Sequence, residues 1–265
     1  MPCGPGSVRD PGPRRGASRR AHGGCGGAFV PRAYNPGRRR LVRVRVDILV
    51  AAVDRVVVSA HPLVRHWLAV LRDRATPTAA FRNAMAELGR ALAYEATRDG
   101  LPTLRKEVQS PLGPAAVEFI DDTQPIMIVP ILRAGLAFAE HVTSILPFTR
   151  TFHLGMSRDE ETLQPSVYLN KLPVKFPDGC RILLMDPMLA TGGTMGAAID
   201  LIKDHGASIE QITVISAITC PPAIEKLRQL FPGIRVYVAA VDLVLNEKGF
   251  MIPGLGDAGD RSYGT

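Results

Sequence analysis

The order of apolar and amphipathic segments after residue 113 is the feature that most constrains the fold of this chain. Short runs rich in apolar and β-branched residues predict strands at residues 115–120, 125–131, 150–156, 181–186, 211–218 and 234–241. Runs with helical periodicity separate them and predict helices at residues 135–146, 194–206 and 221–231. Apolar strands that alternate with helices form parallel sheets covered on both faces. The sequence therefore predicts an α/β fold, whose ligands bind in the loops after the carboxyl ends of the strands.

Two further helices are predicted before this region. The first begins at Pro62 and the second after Pro77, since proline suits the first turn of a helix. The apolar stripe of the first helix is predicted to contain Leu63, Trp67, Val70 and Leu71. The stripe of the second is predicted to contain Phe81, Met85, Leu88 and Leu92. Both helices are expected to pack on the core, and we assign them no chemistry.

Residues 1–46 differ in composition from the rest of the chain. They contain eleven Arg, no Lys, one acid, nine Gly and six Pro, and no hydrophobic period that could build a core. Such a segment is expected to be disordered. An Arg-rich, acid-poor N-terminus is typical of organellar transit peptides, and it lacks the apolar centre of a secretory signal. We predict a leader at residues 1–46 and one folded domain at residues 47–265. The alternative is a basic extension without a targeting role, which would leave the protein in the cytoplasm.

The positive charge of the chain is concentrated in that leader. The formal net charge is +7, but residues 47–265 carry 21 basic and 24 acidic side chains, a net of −3. Binding to a phosphate backbone needs a basic surface, so the folded part is not expected to bind nucleic acid. No apolar run reaches the length of a membrane helix, so no membrane partner is expected. The cysteines form no C-x-x-C pair, and we expect neither a disulfide framework nor a zinc site from Cys3, Cys25, Cys180 and Cys220.

The loop after the strand at residues 181–186 carries the clearest chemical signal. Asp186 ends the strand, and the small residues Ala190-Thr191-Gly192-Gly193-Thr194 lead directly into a helix. Successive N–H groups, two Thr hydroxyls and the helix dipole can together bind a phosphate. The loop is not a nucleoside triphosphatase loop, because G-x-x-x-x-G-K-[ST] does not occur. We predict a site for a ribose 5-phosphate, with Asp186 on the neighbouring hydroxyls. The alternative is an ordinary turn with Thr as a helix cap.

Two arginines follow other predicted strands. Arg133 comes after the strand at residues 125–131 and opens a helix, and Arg158 follows the strand at residues 150–156. Because the carboxyl ends of parallel strands share one edge of the sheet, both arginines are expected near the loop that follows Asp186. Together they indicate a substrate with two phosphate centres. For Arg158, which precedes three acids, a solvated loop is the alternative.

Three glycines near the C-terminus, Gly254, Gly256 and Gly259, have the G-x-G-x-x-G spacing of a dinucleotide-binding turn. That motif works only between a strand and a helix, within a βαβ unit of about thirty residues. Only DRSYGT follows Gly259, which is too short and too rich in Gly for such a helix, so we exclude dinucleotide binding. We expect these glycines to adopt positive φ and to bring bare backbone close to a ligand. A flexible coil is the alternative.

Four segments resemble the uracil phosphoribosyltransferase family. They are VPILRAGLAFAEH, MSRDEETLQPSVYLNKLP, MDPMLATGGT and NEKGFMIPGLGDAGDRSYGT, and the resemblance runs from about residue 60 to the C-terminus. The wider phosphoribosyltransferase family usually has two adjacent acids where this chain has Asp186 and Pro187, and proline agrees with the uracil branch. Together with the Arg-rich leader, the chain resembles plastid-type members, which implies a chloroplast location.

The resemblance implies a type I phosphoribosyltransferase-like fold, a parallel sheet with flanking helices and a C-terminal base-binding segment. It implies transfer of the 5-phosphoribosyl group from phosphoribosyl pyrophosphate to N1 of uracil, which yields UMP and pyrophosphate. Mg²⁺ would be held mainly by substrate and water. A homodimer or homotetramer is implied, and activation by GTP, known in some relatives, is left open. The alternative is an inactive regulator of the same fold that binds uracil nucleotides or RNA. It would be expected to show a basic core or damage to Asp186, Arg133 or Arg158, and the sequence has neither.

The family's functional residues transfer to matching positions of this chain. By resemblance, the catalytic residues are Arg133, Arg158 and Asp186. Phosphoribosyl pyrophosphate would contact these three, Asp257, and the loop residues Pro187, Met188, Leu189, Ala190, Thr191, Gly192, Gly193 and Thr194. Uracil would contact Met251, Gly256, Asp257 and Ala258. No residue stands out as a metal ligand or a general base. The histidines are expected to be structural or exposed: His61, His66, His141, His153 and His205.

Overall fold

The computed structural model describes residues 55–146, 148–158, 164–247 and 249–265. For Arg158 it describes the backbone and not the side chain. The leader predicted at residues 1–46, its domain boundary and Cys3 and Cys25 lie outside these residues. The described strands, in chain order, are β1 (Val56–Val58), β2 (Thr103–Ser110), β3 (Gly113–Ile120), β4 (Ile126–Leu132), β5 (Thr149–Thr151), β6 (Leu154–Arg158), β7 (Pro165–Asn170), β8 (Arg181–Met185), β9 (Met188–Leu189), β10 (Ile212–Thr219), β11 (Arg235–Val241), β12 (Val244–Leu245) and β13 (Met251–Ile252).

Nine of these strands form one sheet, in the spatial order β1-β11-β10-β8-β4-β6-β7, with β5 beside β4 and β9 beside β10. Every pair in it is parallel except β6 with β7. The described helices are α1 (Pro62–Arg72), α2 (Thr78–Thr97), α3 (Ala134–Ala139), α4 (Gly193–Asp204), α5 (Pro221–Leu230) and α6 (Ala258–Tyr263). The mostly parallel sheet with flanking helices confirms the predicted α/β class.

The direction of each connection decides which face a helix covers. From β8 through α4 to β10, and on through α5 to β11, the chain moves toward the β1 edge. From β1 through α1 and α2 to β4, and on through α3 to β6, it moves toward the β7 edge. Parallel crossovers are almost always right-handed, so α4 and α5 cover one face and α1 to α3 cover the other. Helix α6 packs against α2 and α3.

The central strands are predominantly apolar because both of their faces are covered. All eight residues of β10 are buried, and so are the first six of β4. This pattern leaves no alternation of polar and apolar residues, as expected for a parallel sheet between two helical layers. The four residues predicted to form the stripe of α2 are all fully buried: Phe81, Met85, Leu88 and Leu92.

The predicted stripe of α1 is wrong at its first position. Leu63 is 56% exposed, whereas Val64, Leu68 and Leu71 are buried. The buried residues Val64, Leu68 and Leu71 are spaced four and three positions apart, and so are Leu63, Trp67 and Val70 of the predicted stripe. Periodicity alone could therefore not separate the two stripes. Trp67 lies at the border between them and is partly buried.

Other differences concern segments whose role depends on distant partners. The predicted strand at residues 115–120 belongs to β3, which pairs antiparallel with β2 in a separate ribbon outside the parallel sheet. The predicted strand at residues 150–156 is divided into β5 and β6, and the predicted helix at residues 135–146 ends at Ala139. Among the described residues, no helix is both long enough and apolar enough to cross a membrane. Cys180 and Cys220 are buried and free.

Candidate functional site

The candidate site lies where the chain connections diverge between two adjacent strands. From β8 the chain continues toward one edge of the sheet, and from β4 it continues toward the other. Such a switch point opens a crevice at the carboxyl ends of the strands, where α/β proteins bind ligands. Pro130 of β4 pairs with Met185 of β8, so Arg133 and Asp186, which follow these strands, emerge at the same edge. The fold therefore brings together two of the residues predicted from sequence.

The loop at residues 187–194, which we call the phosphate loop, is held along one side by β10. The carbonyl oxygen of Pro187 accepts a hydrogen bond from the N–H of Ile218 at 3.1 Å. The hydroxyl of Thr219 donates to the carbonyl oxygen of Leu189, also at 3.1 Å. These bonds occupy carbonyl oxygens of the loop, so the loop can present N–H groups to an anion.

The same loop turns directly into α4. Gly192, at the N-cap, has a φ of 73°, in the left-handed region that favours glycine. Helix α4 then begins at Gly193 and has 12 residues, so its dipole adds positive potential at the loop. The geometry agrees with the predicted phosphate site, since N–H groups at a helix N-terminus attract phosphate oxygens.

A cavity of about 150 Å³ opens in front of this loop. Asp186, Thr194 and residues 188–192 form one part of its wall, and Gly249 and Phe250 form another. The phosphate loop thus faces the C-terminal segment that was predicted to bind uracil. Of the residues assigned to uracil, Met251 directly follows this part of the wall in the chain, whereas Gly256, Asp257 and Ala258 do not line the cavity.

Asp186 is the acidic residue of the cavity wall. Its carboxylate accepts one backbone hydrogen bond, from the N–H of Met188 at 3.2 Å. Burial raises the pKa of Asp186 to about 7, because that single hydrogen bond does not replace the lost hydration. A carboxylate poised near neutrality in a cleft is typical of a functional group.

Arg133 lies beside the C-terminal segment. Its guanidinium forms an ion pair with Asp260 at 2.7 Å and donates to the hydroxyl of Thr265 at 3.2 Å. The side chain remains 55% exposed. A Cβ placed on Gly259 would lie 3.2 Å from Asp257 Oδ1 and 3.6 Å from Arg133 Nη2. Arg133 and Asp257, both assigned to phosphoribosyl pyrophosphate, therefore both lie beside this glycine.

Arg158 is placed only by its backbone. Leu132 of β4 pairs with Gly155 of β6, and β6 continues to Arg158 at the same edge of the sheet. Its side chain and residues 159–163 lie outside the part of the chain that the structure describes. The role assigned to Arg158 stays a prediction.

The C-terminal glycines only partly match the expectation. Gly254 and Gly256 have φ values of 65° and 72°, as predicted. Gly259 lies instead within α6, so the predictions of a positive φ there and of no helix after it are wrong. Helix α6 forms despite its six residues because the carboxylate of Asp257 caps it, accepting from the N–H of Asp260 at 2.9 Å.

The four residues assigned to uracil divide into two pairs. Met251 and Ala258 are 4% and 2% exposed, so their side chains pack inside the protein. Gly256 and Asp257 are exposed. Contact with uracil would therefore come from the exposed turn, mainly through its backbone.

Two supporting groups were not predicted from the sequence. The buried thiol of Cys220 donates to the carbonyl oxygen of Ala190 at 2.7 Å, and burial raises the pKa of this thiol, which keeps it protonated. Lys226, on α5, places Nζ 4.0 Å from where a Cβ would stand on Gly193, so its charge lies beside the phosphate loop. Neither residue carries a local motif, since both act from an element distant in sequence.

The described residues contain no group of three or more His, Cys, Asp or Glu side chains that could hold a metal ion. Three histidines have hydrogen bonds with structural roles. His61 accepts from the N–H of Leu63 at the start of α1, His141 lies 3.1 Å from Glu87, and His205 lies 2.6 Å from the carbonyl oxygen of Pro173.

Comparisons with known proteins agree with this geometry. The family model for uracil phosphoribosyltransferase matches residues 58–265. A uracil phosphoribosyltransferase of Nicotiana tabacum is 63% identical over 79% of this chain and 94% of its own length. A chloroplastic uracil phosphoribosyltransferase of Arabidopsis thaliana is 56% identical over 86% of this chain and 79% of its own length.

A solved structure has the same fold. The AQ2163 protein of Aquifex aeolicus superposes with a TM-score of 0.72 and 37% identity, covering 78% of this chain and 97% of its own. The residues matched by the family model include β4, β8, the phosphate loop and the C-terminal segment. The phosphoribosyltransferase fold implied by the resemblance is thereby confirmed, and the chain belongs to the uracil phosphoribosyltransferase family.

Proposed function

We propose that this protein transfers the 5-phosphoribosyl group of phosphoribosyl pyrophosphate to N1 of uracil, giving UMP and pyrophosphate. The observation that carries the proposal is the shared cavity. Asp186 and the phosphate loop form one part of its wall, and the segment that begins the C-terminal base-binding region forms another. The family match supports the same reaction and gives no support to an inactive regulator.

The roles of the charged groups follow from the bond that breaks. Cleavage of the C1′–O bond develops positive charge on the ribose and negative charge on the departing pyrophosphate. Arg133 and Arg158 would stabilise the pyrophosphate, and Asp186 would bind the ribose hydroxyls and lie near the positive charge. That positive charge favours the ionised form of Asp186, which opposes the effect of burial on its pKa.

The phosphate loop would bind the 5-phosphate. Residues 189–194 would supply backbone N–H groups, because Pro187 has none and the N–H of Met188 donates to Asp186. Thr191 and Thr194 would supply hydroxyls. The start of α4 and the ammonium of Lys226 add positive potential at the same place. Binding of this end of the substrate would fix C1′ relative to the base.

The site is compatible with Mg²⁺ held mainly by substrate and water. Asp186 is the one carboxylate among the described residues of the cavity wall, so the protein offers no cage of ligands. This suits a hard cation that dehydrates reluctantly and keeps several waters. When bound, Mg²⁺ would neutralise charge on the pyrophosphate.

Uracil would be read by the backbone near Gly256. Its O2, N3–H and O4 present acceptor, donor and acceptor, which N–H, C=O and N–H groups of an extended turn can match. Gly254 and Gly256 adopt the left-handed conformations that such a turn needs. Met251 and Ala258, both buried, would support the turn from behind.

Location and assembly are further proposals. Import into chloroplasts is supported by the Arg-rich leader and by the chloroplastic relative from Arabidopsis.

Self-association into a homodimer or homotetramer is supported by exposed apolar side chains such as Leu63 and Tyr94, which border a second cavity of about 400 Å³ between α1 and α2. Light scattering of the purified protein tests the assembly. Activation by GTP is tested by measuring turnover with and without it.

The reaction is tested by incubating the protein with radiolabelled uracil, phosphoribosyl pyrophosphate and Mg²⁺. We expect labelled UMP, and we expect Asp186→Asn to abolish most of it. An inactive regulator would bind UMP but form none from uracil. That outcome would overturn the proposal.

A further inference from the structure

Three charged residues outside the cavity wall converge on the backbone of the turn at residues 253–257, which we call the base loop. We propose that Arg72, Asp242 and Arg261 are positioning residues for uracil: they hold the base loop through its peptide groups and do not touch the base. The inference rests on the proposed function, because it assigns uracil to this loop. It adds to that function a reason why a short loop rich in glycine can have one geometry.

Arg72 and Asp242 together bind both the N–H and the C=O of Gly254. Arg72 forms a bidentate ion pair with Asp242, with Nη2 to Oδ1 at 2.6 Å and Nη1 to Oδ2 at 3.0 Å. Asp242 Oδ2 also accepts from the N–H of Gly254 at 2.9 Å. Arg72 Nη1 donates to the carbonyl oxygen of Gly254 at 3.1 Å. The ion pair therefore binds the N–H and the C=O of Gly254 at once.

Gly254 needs this support because its position admits only glycine, the residue with the greatest backbone freedom. Its φ is 65°, and a Cβ there would lie 2.3 Å from the carbonyl oxygen of Met251. Glycine removes that clash, but it also makes the unbound loop free to adopt other conformations. The charged pair supplies the restraint that a side chain would otherwise provide.

Asp242 also connects the base loop to the phosphate loop. Its side chain is 4% exposed, and its N–H donates to the carbonyl oxygen of Thr219 at 2.7 Å. The hydroxyl of Thr219 in turn donates to the carbonyl oxygen of Leu189. One strand end of the sheet thus fixes the two loops relative to each other.

Arg261 holds the next peptide group of the base loop, through the carbonyl oxygen of Leu255. Nη1 donates to the carbonyl oxygens of Leu255 at 2.7 Å and of Leu71 at 2.6 Å, and Nη2 donates to that of Asp73 at 2.6 Å. Its guanidinium stacks 4.1 Å from the ring centroid of Phe81. Leu71 and Asp73 flank Arg72, so the end of α1 holds the base loop both by its side chain and by its backbone.

The expected effect is on uracil binding rather than on the chemistry of phosphoribosyl pyrophosphate. A loop that is already in its binding conformation loses less entropy when the base binds. If the loop were free, its N–H and C=O groups would have to be ordered each time. A shift of about 1 Å in such groups can change a rate by about a hundredfold.

The test uses the double variant Arg72→Met/Asp242→Leu, which removes both charges and leaves neither buried without its partner. We expect KM for uracil to rise at least about tenfold, while KM for phosphoribosyl pyrophosphate stays within about twofold. Arg72→Lys, which keeps the charge but cannot form the bidentate pair, should shift KM for uracil in the same direction. The matched control is the exposed pair on α5, Arg228→Gln/Glu225→Gln, which should leave both KM values unchanged.

Hydrogen exchange of the substrate-free proteins separates the two proposals. In the double variant and in Arg72→Lys, amides of residues 254–257 should exchange faster than in the wild type and in the control. An active wild type whose variants keep a wild-type KM for uracil would overturn the positioning role alone. A wild type that makes no UMP would overturn the proposed function, and the exchange rates would then decide whether these residues hold the loop. If amide exchange is unchanged in both variants, the claim that these residues hold the base loop is overturned as well.

Discussion

At the scale of single residues, Asp186 and Arg133 have surroundings that a bound substrate would change. Asp186 is partly exposed at the cavity wall and accepts one hydrogen bond, and desolvation raises its pKa to about 7. Arg133, assigned to pyrophosphate, is paired with Asp260. Substrate binding would therefore stabilise the ionised form of Asp186 and would compete with Asp260 for the guanidinium of Arg133.

Replacing Arg133 should separate these two roles of its guanidinium. We expect Arg133→Ala to lower kcat by roughly 10²–10³, the usual loss for one preorganised electrostatic group. The melting temperature of this variant should differ little from that of the wild type, because the Arg133 side chain is 55% exposed. Asp260→Asn is the matched control, since it breaks the same ion pair and leaves the guanidinium in place. Steady-state kinetics of both variants make the comparison. If Asp260→Asn loses as much activity as Arg133→Ala, the ion pair matters and the contact with pyrophosphate does not.

Asp186 should make the substrate-free protein less stable as the pH rises. Its folded-state pKa, about 7, lies above the ordinary value of 3.8, so the folded state binds more protons than the unfolded state between these values. Stability from this group is then fully present below pH 4 and is lost as the pH rises toward 7. We expect Asp186→Asn to be more stable than the wild type at pH 8, with a much smaller difference at pH 4. Urea unfolding at both pH values measures this, and a difference independent of pH would contradict the assigned pKa.

At the scale of elements, the sequence predicts what burial imposes locally and misses what distant partners impose. Strands β4, β8, β10 and β11 were predicted because coverage of both faces makes them predominantly apolar. The phosphate loop was predicted because a small-residue turn between a strand and a helix has few other uses. Strand β2 was missed, since its sequence TLRKEVQS pairs only with β3 and is largely exposed.

The C-terminal segment shows the same limit more sharply. Gly254 and Gly256 were predicted to have positive φ, because glycine is the residue that tolerates it. Helix α6 was not predicted, because six residues have too little propensity to form a helix alone. It depends on the cap from Asp257 and on Arg261, whose partners lie about 190 residues earlier in the chain. No local pattern could have indicated the contacts of Arg261 with Leu71 and Asp73.

Asp257 should influence the rate without reading the base. Its carboxylate caps α6, and the proposed reading of uracil uses backbone groups of the base loop. We expect Asp257→Asn to lower kcat and yet to keep uracil strongly preferred over cytosine. Cytosine presents acceptor, acceptor and donor, which would leave two protein groups unpaired, a mismatch that can cost about 10⁴–10⁵. Competition assays with both bases measure the preference. Use of cytosine by the variant at a rate near that of uracil would make the side chain the reader.

At the scale of the whole molecule, one edge of the sheet organises both halves of the site. β4 and β8 deliver Arg133 and Asp186, while the end of β10 fixes the phosphate loop and, through Asp242, the base loop. The helices α1 and α2 carry no catalytic group, yet the end of α1 holds the base loop. All of these contacts lie at or after Val56, the first buried residue of the described chain.

Deleting residues 1–46 should therefore leave the enzyme intact. The deletion removes eleven Arg and one acid but none of the contacts described above, so we expect an unchanged melting temperature and unchanged turnover of uracil. Fused to a fluorescent protein, the same residues should direct it into chloroplasts, because an Arg-rich segment with few acids is typical of imported precursors. A matched fusion in which the eleven Arg are replaced by Gln should stay in the cytosol. Cytosolic fluorescence from the unaltered fusion would refute the targeting role, whereas lost activity after deletion would assign residues 1–46 to the fold.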